Sequence, residues 1–124
     1  MTATVKVVDA SAVAAVIFDE PGSGGVAQAM HGFRLTAPAL LEFELANVCM
    51  SKSRRFPSER GAILAMYGLR LGLNIEELAV DHDGVVALAA QTGLTAYDAS
   101  YLWLARRLGV ELVTLDAALL RAVT

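Results

Sequence analysis

The sequence has 124 residues, of which 56% are hydrophobic and 19% charged, and its net charge is −3. This composition predicts one well-packed domain over residues 1–124 and excludes a disordered polar chain. Its apolar runs are shorter than the ~20 residues that cross a bilayer, so no membrane span is expected. No secretory signal pattern opens the chain, and the single cysteine, Cys49, fits a reducing compartment. We therefore expect a cytoplasmic protein.

Strands and helices are predicted to alternate along the chain. Runs of β-branched residues indicate strands, alanine-rich or amphipathic runs indicate helices, and Gly or Pro marks their ends. The predicted strands are residues 4–8, 33–37, 74–80 and 110–115. The predicted helices are residues 10–18, 26–31, 38–53, 57–71, 82–92, 95–108 and 118–123, and residues 19–25 are predicted to be a loop. This order favours an α/β domain with a parallel sheet covered by helices on both faces.

Four carboxylates stand where a predicted strand meets a helix, or in the first turns of a helix. Asp9 and Asp116 follow the first and last strands, and Glu44 and Asp98 lie near the N-termini of two helices. Helices run opposite to strands in such a domain, so all four acids should meet at the edge where ligands bind. Acids gathered there repel one another unless a divalent cation neutralises them, and carboxylates suit Mg²⁺ or Mn²⁺. The sequence therefore predicts a metal-dependent active site.

Each of these acids also has a structural explanation. Asp9 and Asp116 precede helices and could be N-caps. Asp98 stands three residues after Thr95 and could belong to a capping box. Glu44 could be a solvated residue that the helix dipole favours. The joint placement of the four acids favours the metal site, whereas Asp81, which reaches the same edge, is interpreted as a helix cap.

A basic cluster ends the third predicted helix. Lys52, Arg54 and Arg55 crowd into the segment SKSRR. Two interpretations stay open, one in which they complement the helix dipole and one in which they contact the phosphates of a nucleic acid.

Two other functions compete with the metal site. The fold could be a non-enzymatic binding module whose acids only cap helices. Alternatively, Asp9 could be the phospho-acceptor of a receiver-like domain, although no lysine follows a late strand. Nucleoside triphosphate and dinucleotide loops are absent from the sequence.

Four sequence blocks resemble those of the PIN-domain nucleases and, within them, the VapC-type toxins of toxin–antitoxin pairs. The blocks are VVDASA at 7–12, PALLEFELANV at 38–48, LTAYDASYLWLARRLG at 94–109 and LVTLDAAL at 112–119. The resemblance implies a sheet of order 3-2-1-4, with a fifth edge strand if the chain continues past Thr124.

The resemblance also implies roles for individual residues. Glu44 stands six residues after Pro38. Glu44, rather than Glu42, therefore matches the acidic position of the family. Ser11 and Thr114 match polar positions beside the metal site, where they could hold waters. Asn47, one turn past Glu44, could either orient Glu44 or only stabilise the helix. The metal-site acids implied by the resemblance are Asp9, Glu44, Asp98 and Asp116.

An activity and partners follow from the same resemblance. It implies a Mg²⁺- or Mn²⁺-dependent ribonuclease that cleaves unpaired RNA, with Lys52, Arg54 and Arg55 as candidate RNA contacts. It further implies a small cognate antitoxin that inhibits the enzyme. This antitoxin is expected to lay an apolar helix over residues 10–31 and 39–50 and to direct an Arg or Lys at the acids. The high hydrophobic content favours a homodimer.

Overall fold

The protein folds around a four-stranded sheet flanked by helices, seen in a computed structural model that describes residues 4–124. The strands are β1 (Val5–Val8), β2 (Arg34–Ala37), β3 (Glu76–Glu77) and β4 (Leu112–Val113). The helices are α1 (Ala10–Ile17), α2 (Ser23–Met30), α3 (Leu40–Arg55), α4 (Arg60–Gly68), α5 (His82–Thr92), α6 (Ala96–Leu108) and α7 (Ala117–Val123), and short 3₁₀ helices span Pro57–Glu59 and Leu69–Leu73.

The sheet order is β3-β2-β1-β4 and every strand pair is parallel, which confirms the predicted α/β fold and its 3-2-1-4 order. β1 lies inside the sheet, with Val7 beside Thr36 of β2 and Val8 beside Val113 of β4. Both valines are fully buried. A parallel strand covered on both faces needs apolar side chains in both directions, which explains why β1 reads VKVV with little alternation.

The helices bury one face each against this sheet. On α3 the buried residues Leu41, Leu45 and Cys49 recur every four positions, as a helix with one apolar stripe requires. On α6 the buried set includes Tyr101, which is 1% exposed. Among residues 4–124, no helix combines the length and apolar character needed to cross a bilayer.

The two edge strands are shorter than the sequence predicted. The segment 74–80 forms a strand only at Glu76–Glu77, and 110–115 only at Leu112–Val113. β3 pairs with β2 alone, and the side chains of Glu76 and Glu77 are both exposed. The flanking Ile75 and Leu78 pack against the core outside the strand. β4 ends early because the chain beyond Val113 bonds to side chains near β1 instead of continuing the ladder.

Helix boundaries also differ from the predicted ones. Residues 19–25 were expected to be a loop, yet α2 begins at Ser23, after Gly22 in the left-handed conformation at φ +90°. Two glycines in its first turn cost roughly 1 kcal/mol each, and burial of Val26 and Met30 offsets that cost. The helix predicted at 57–71 is divided into a 3₁₀ turn, α4 and a second 3₁₀ helix, and α3 extends two residues further than predicted.

Candidate active site

Asp9 is the buried carboxylate at the end of β1, with 3% of its surface exposed. It caps α1, and its Oδ1 accepts hydrogen bonds from the Ala12 amide at 3.0 Å and from the Ser11 hydroxyl at 2.7 Å. Its Oδ2 accepts from the Thr114 hydroxyl at 2.5 Å. Both oxygens are therefore fixed in place, and the predicted cap is real without excluding a metal role.

Asp116 follows β4 and caps α7, where its Oδ2 accepts from the Leu119 amide at 3.0 Å. Two hydroxyls connect this segment to the end of β1. The Asp116 amide donates to Thr114 Oγ1 at 3.0 Å, and the Leu115 amide donates to Ser11 Oγ at 2.9 Å. Ser11 and Thr114, predicted to lie beside the metal site, both contact Asp9 and hold the two strand-end acids at one edge.

Glu44 and Asp98 reach the same edge from α3 and α6, and both are half-buried. Glu44 Oε1 accepts a 2.5 Å hydrogen bond from the hydroxyl of Tyr101. The Asp98 amide donates to Thr95 Oγ1 at 3.1 Å, which forms half of the predicted capping box. The carboxylate of Asp98 has no hydrogen-bond donor anywhere in residues 4–124, so the cap does not occupy it.

Electrostatics show that the four acids act on one another. Burial raises the pKa of Asp9, and the charge of Asp116 raises it further, against hydrogen bonds that lower it. The pKa of Glu44 is raised by burial and by the charges of Asp98, Asp9 and Asp116. The pKa of Asp98 is raised by burial and by Asp116 and Asp9. Burial is the largest cause of each shift, and the neighbouring carboxylates add a smaller repulsion that a cation would relieve.

The chemistry of this donor set suits a hard divalent cation, although the side chains are not arranged around one. Within residues 4–124, no three His, Cys, Asp or Glu side chains stand in the geometry of a metal site. The cluster consists of four carboxylates and the three hydroxyls bonded to them, without a histidine or thiol, which is the oxygen-rich composition that Mg²⁺ and Mn²⁺ prefer. The side chain of Asp98 is free to rotate, because its carboxylate has no hydrogen bond to residues 4–124.

The neighbouring acids stand apart from this cluster. Glu42, two residues before Glu44 and on a different face of α3, is exposed and pairs with Arg70 at 3.1 Å. Asp81 caps α5 by accepting from the Gly84 amide at 3.2 Å, as the sequence predicted. Neither appears among the charges that act on Asp9, Glu44 or Asp98.

Asn47 and the three basic residues predicted to contact RNA all lie on α3. Asn47 is exposed, and within residues 4–124 its side chain makes no hydrogen bond to Glu44, so its orienting role stays a prediction. Lys52 forms a 2.5 Å ion pair with Glu20. Arg54 and Arg55 are exposed at the end of α3.

Tyr101 is the site residue that sequence reasoning missed. It stands one turn after Asp98 on the same face of α6, which was the available signal, because residues three apart are neighbours on a helix. Its contact with Glu44 joins residues 57 positions apart, which no local pattern reveals.

Comparison with known proteins gives concordant matches over nearly the whole chain. Residues 6–123 match the family model of the PIN domain. The chain is 33% identical over 123 residues to a protein named Ribonuclease VapC3 from Pyrobaculum aerophilum, covering 91% of this chain and 90% of that protein. The crystal structure of PAE2754 from Pyrobaculum aerophilum superposes with a TM-score of 0.77 at 28% identity, covering 97% of this chain and 86% of that one.

Proposed function

This chain belongs to the PIN domain family, and on that premise we propose that it is a Mg²⁺- or Mn²⁺-dependent endoribonuclease, the toxin of a toxin–antitoxin pair. The observation that carries the proposal is the gathering of Asp9, Glu44, Asp98 and Asp116 at one edge of the sheet, where three of them have raised pKa values. The similarity to a protein named as a ribonuclease supports the choice of RNA as substrate.

The four acids divide the work of hydrolysis. With a divalent cation bound among them, the site would gain charge neutralisation and Lewis-acid polarisation of a phosphate oxygen and a water. Asp9, Asp98 and Asp116 would hold this cation. Glu44 would accept the proton of the attacking water or complete a second cation position, and burial, which raises the pKa of Glu44, makes it a better proton acceptor. Ser11 and Thr114 keep Asp9 oriented.

Exposed arginines support an RNA substrate bound along α3. Arg54 and Arg55 are exposed and form no ion pair within residues 4–124, so they can contact phosphates, whereas Lys52 already pairs with Glu20. Arg54 lies ten residues after Glu44 on α3, roughly 15 Å along the helix. An RNA that reached both the acids and these arginines would follow α3 over that distance, and a flexible unpaired strand suits such a path better than a duplex.

Two partners are part of the proposal. A cognate antitoxin would lay an apolar helix over α1, α2 and the first half of α3, where Phe43 is 75% exposed, and direct a cationic side chain at the acids. A second copy of the chain would cover an apolar groove of about 490 Å³ between α3, α5 and α6, which includes Val86 and Tyr97. We place both partnerships in the cytoplasm.

The receiver-like alternative has little support. Its sheet would have the order 2-1-3-4-5, whereas this sheet has the order 3-2-1-4. Asp9 is also 3% exposed and hydrogen-bonded at both oxygens, which leaves a poor phospho-acceptor. An inactive PIN-fold binding module shares the fold and is separated from the proposal only by an assay.

The test is cleavage of labelled single-stranded RNA with Mn²⁺, with Mg²⁺ and with chelator. We expect metal-dependent cleavage that Asp98→Asn reduces by more than the roughly 100-fold that loss of an outer-shell partner costs. Glu42→Gln is the matched control, because it removes a charge from the same helix but outside the cluster, and it should keep most activity. The co-purified product of the neighbouring reading frame should suppress cleavage.

Absence of cleavage by pure wild-type protein in both metals would favour the inactive binding module. Full loss with Glu42→Gln and none with Glu44→Gln would reverse the assignment of the two glutamates.

A further inference from the structure

We propose that Tyr101 is a positioning residue for Glu44, whose hydroxyl holds one carboxylate oxygen so that the other is presented to the metal and the attacking water. This inference rests on the proposed nuclease function. Its basis is the 2.5 Å hydrogen bond from Tyr101 Oη to Glu44 Oε1, which crosses from α6 to α3. No other hydrogen bond to the Glu44 carboxylate exists in residues 4–124, so Oε2 is uncommitted.

Tyr101 is well suited to this role because its own position is rigid. Its side chain is 1% exposed and is among the largest fully buried side chains of the described structure. Side chains on a helix point back towards its N-terminus, so the ring extends from α6 towards the turn that carries Asp98 and the acidic edge. The packed ring thereby fixes the hydroxyl, and the hydroxyl fixes a glutamate that has three rotatable bonds of its own.

Tyr101 is also chemically suited to donate to Glu44. A phenol is protonated at neutral pH, so its hydroxyl donates and adds no negative charge to the cluster. An ionised carboxylate at this position would add charge and could only accept.

The experiment is a double-mutant cycle of Tyr101→Phe and Glu44→Gln. Phenylalanine keeps the buried ring and removes only the hydroxyl. We expect Tyr101→Phe to lower kcat for RNA about 10–100-fold, the usual cost of losing an outer-shell partner, while KM for RNA stays within about twofold. In the Glu44→Gln background, Tyr101→Phe should have almost no further effect, because its action passes through Glu44.

A second readout needs no RNA. Titration of wild type and Tyr101→Phe with Mn²⁺ alone should show weaker binding in the variant by about 10-fold, at the lower end of the outer-shell range. Thr92→Val is the matched control, since it removes a hydroxyl that donates to Leu88 O at 2.8 Å near the C-terminal end of α5, opposite the acidic edge. It should melt earlier yet keep wild-type kcat and Mn²⁺ affinity.

The proposal is overturned if wild type cleaves RNA and Tyr101→Phe retains its kcat. It is equally overturned if the two substitutions have additive effects on kcat, or if Thr92→Val loses as much activity as Tyr101→Phe. A wild-type protein that binds Mn²⁺ but cleaves no RNA would contradict the nuclease function, and the Mn²⁺ titration would still decide the role of Tyr101.

Discussion

The acids at the strand ends and the acids on the helices are held very differently. Within residues 4–124, Asp9 accepts three hydrogen bonds and Asp116 accepts one, two of the four from backbone amides and two from hydroxyls. Glu44 and Asp98 accept one, from Tyr101. Asp9 is buried, whereas Asp116 and both helix acids are half-buried, so Asp9 is the most firmly held of the four.

This difference separates a preorganised half of the cluster from an adjustable half. Fixed dipoles and hydrogen bonds around Asp9 keep one anionic anchor in place before any ligand arrives, and such preorganisation lowers the cost of binding. Glu44 and Asp98 keep oxygens that can turn to meet a cation, a water or a phosphate. Strand ends thus supply position, and the first turns of helices supply adaptability.

The largest expected contrast is in the free energy of unfolding of two alanine variants in chelator. Asp9→Ala leaves the buried Thr114 hydroxyl, the Ser11 hydroxyl and the Ala12 amide without their acceptor, at a cost of about 1–3 kcal/mol. Asp98→Ala loses no hydrogen bond and relieves repulsion, so its stability should stay within roughly 0.5 kcal/mol of wild type or slightly above it. Urea unfolding measures the free energy of unfolding of both variants. Equal losses of stability would show that the strand-end acids and the helix acids are held alike.

A smaller effect concerns the response of Asp116 to metal. Mn²⁺ at roughly tenfold excess over its dissociation constant should stabilise the wild type by about 1.4 kcal/mol in thermal melts, and NaCl of equal ionic strength should not. Without metal, Asp116→Asn should be at least as stable as wild type. With Mn²⁺, the variant should lose most of the stabilisation that the wild type gains. Asn caps helices about as well as Asp, so identical behaviour of variant and wild type in both conditions would reduce Asp116 to a cap.

The smallest expected effect is on pH dependence without metal. The raised pKa values of Asp9, Glu44 and Asp98 mean that the folded protein binds more protons than the unfolded chain at pH values between roughly 4 and those raised values. This contribution therefore makes unfolding harder as pH falls through the raised values, opposite to ordinary salt-bridged carboxylates. Urea midpoints across this range measure it. Asp98→Asn should flatten the slope, and a wild-type midpoint that only falls on acidification would show that other carboxylates dominate.

Much of the fold and the acid cluster follows from sequence because the signals are local and repeated. Asp9 and Asp116 each stand directly beyond an apolar strand, and the right-handed α/β rule then brings the helix acids to the same edge. The order of the four strands came from the family resemblance, since residue patterns set elements but not their neighbours.

What the sequence could not supply depends on contacts between distant residues. Beyond the end of β4, the hydroxyls of Ser11 and Thr114 accept from the amides of Leu115 and Asp116, over a separation of 104 residues in the first case. The start of α2 depends on burial of Val26 and Met30, which outweighs its glycines. The bond from Tyr101 to Glu44 requires knowing that α6 and α3 lie side by side at this edge.

The hydroxyls of Ser11 and Thr114 hold the strand-end acids in place, but the strands and helices do not depend on them. Beyond Val113, amides of the last strand segment find side-chain oxygens where a longer sheet would offer backbone carbonyls. Backbone acceptors are present whatever the residue type, but these oxygens disappear with Ser→Ala or Thr→Val. A descendant of this sequence could keep every strand and helix and still lose the alignment of Asp9 with Asp116. Replacing two oxygen atoms, neither of which belongs to an acid, would therefore disturb the acid cluster while the scaffold is preserved.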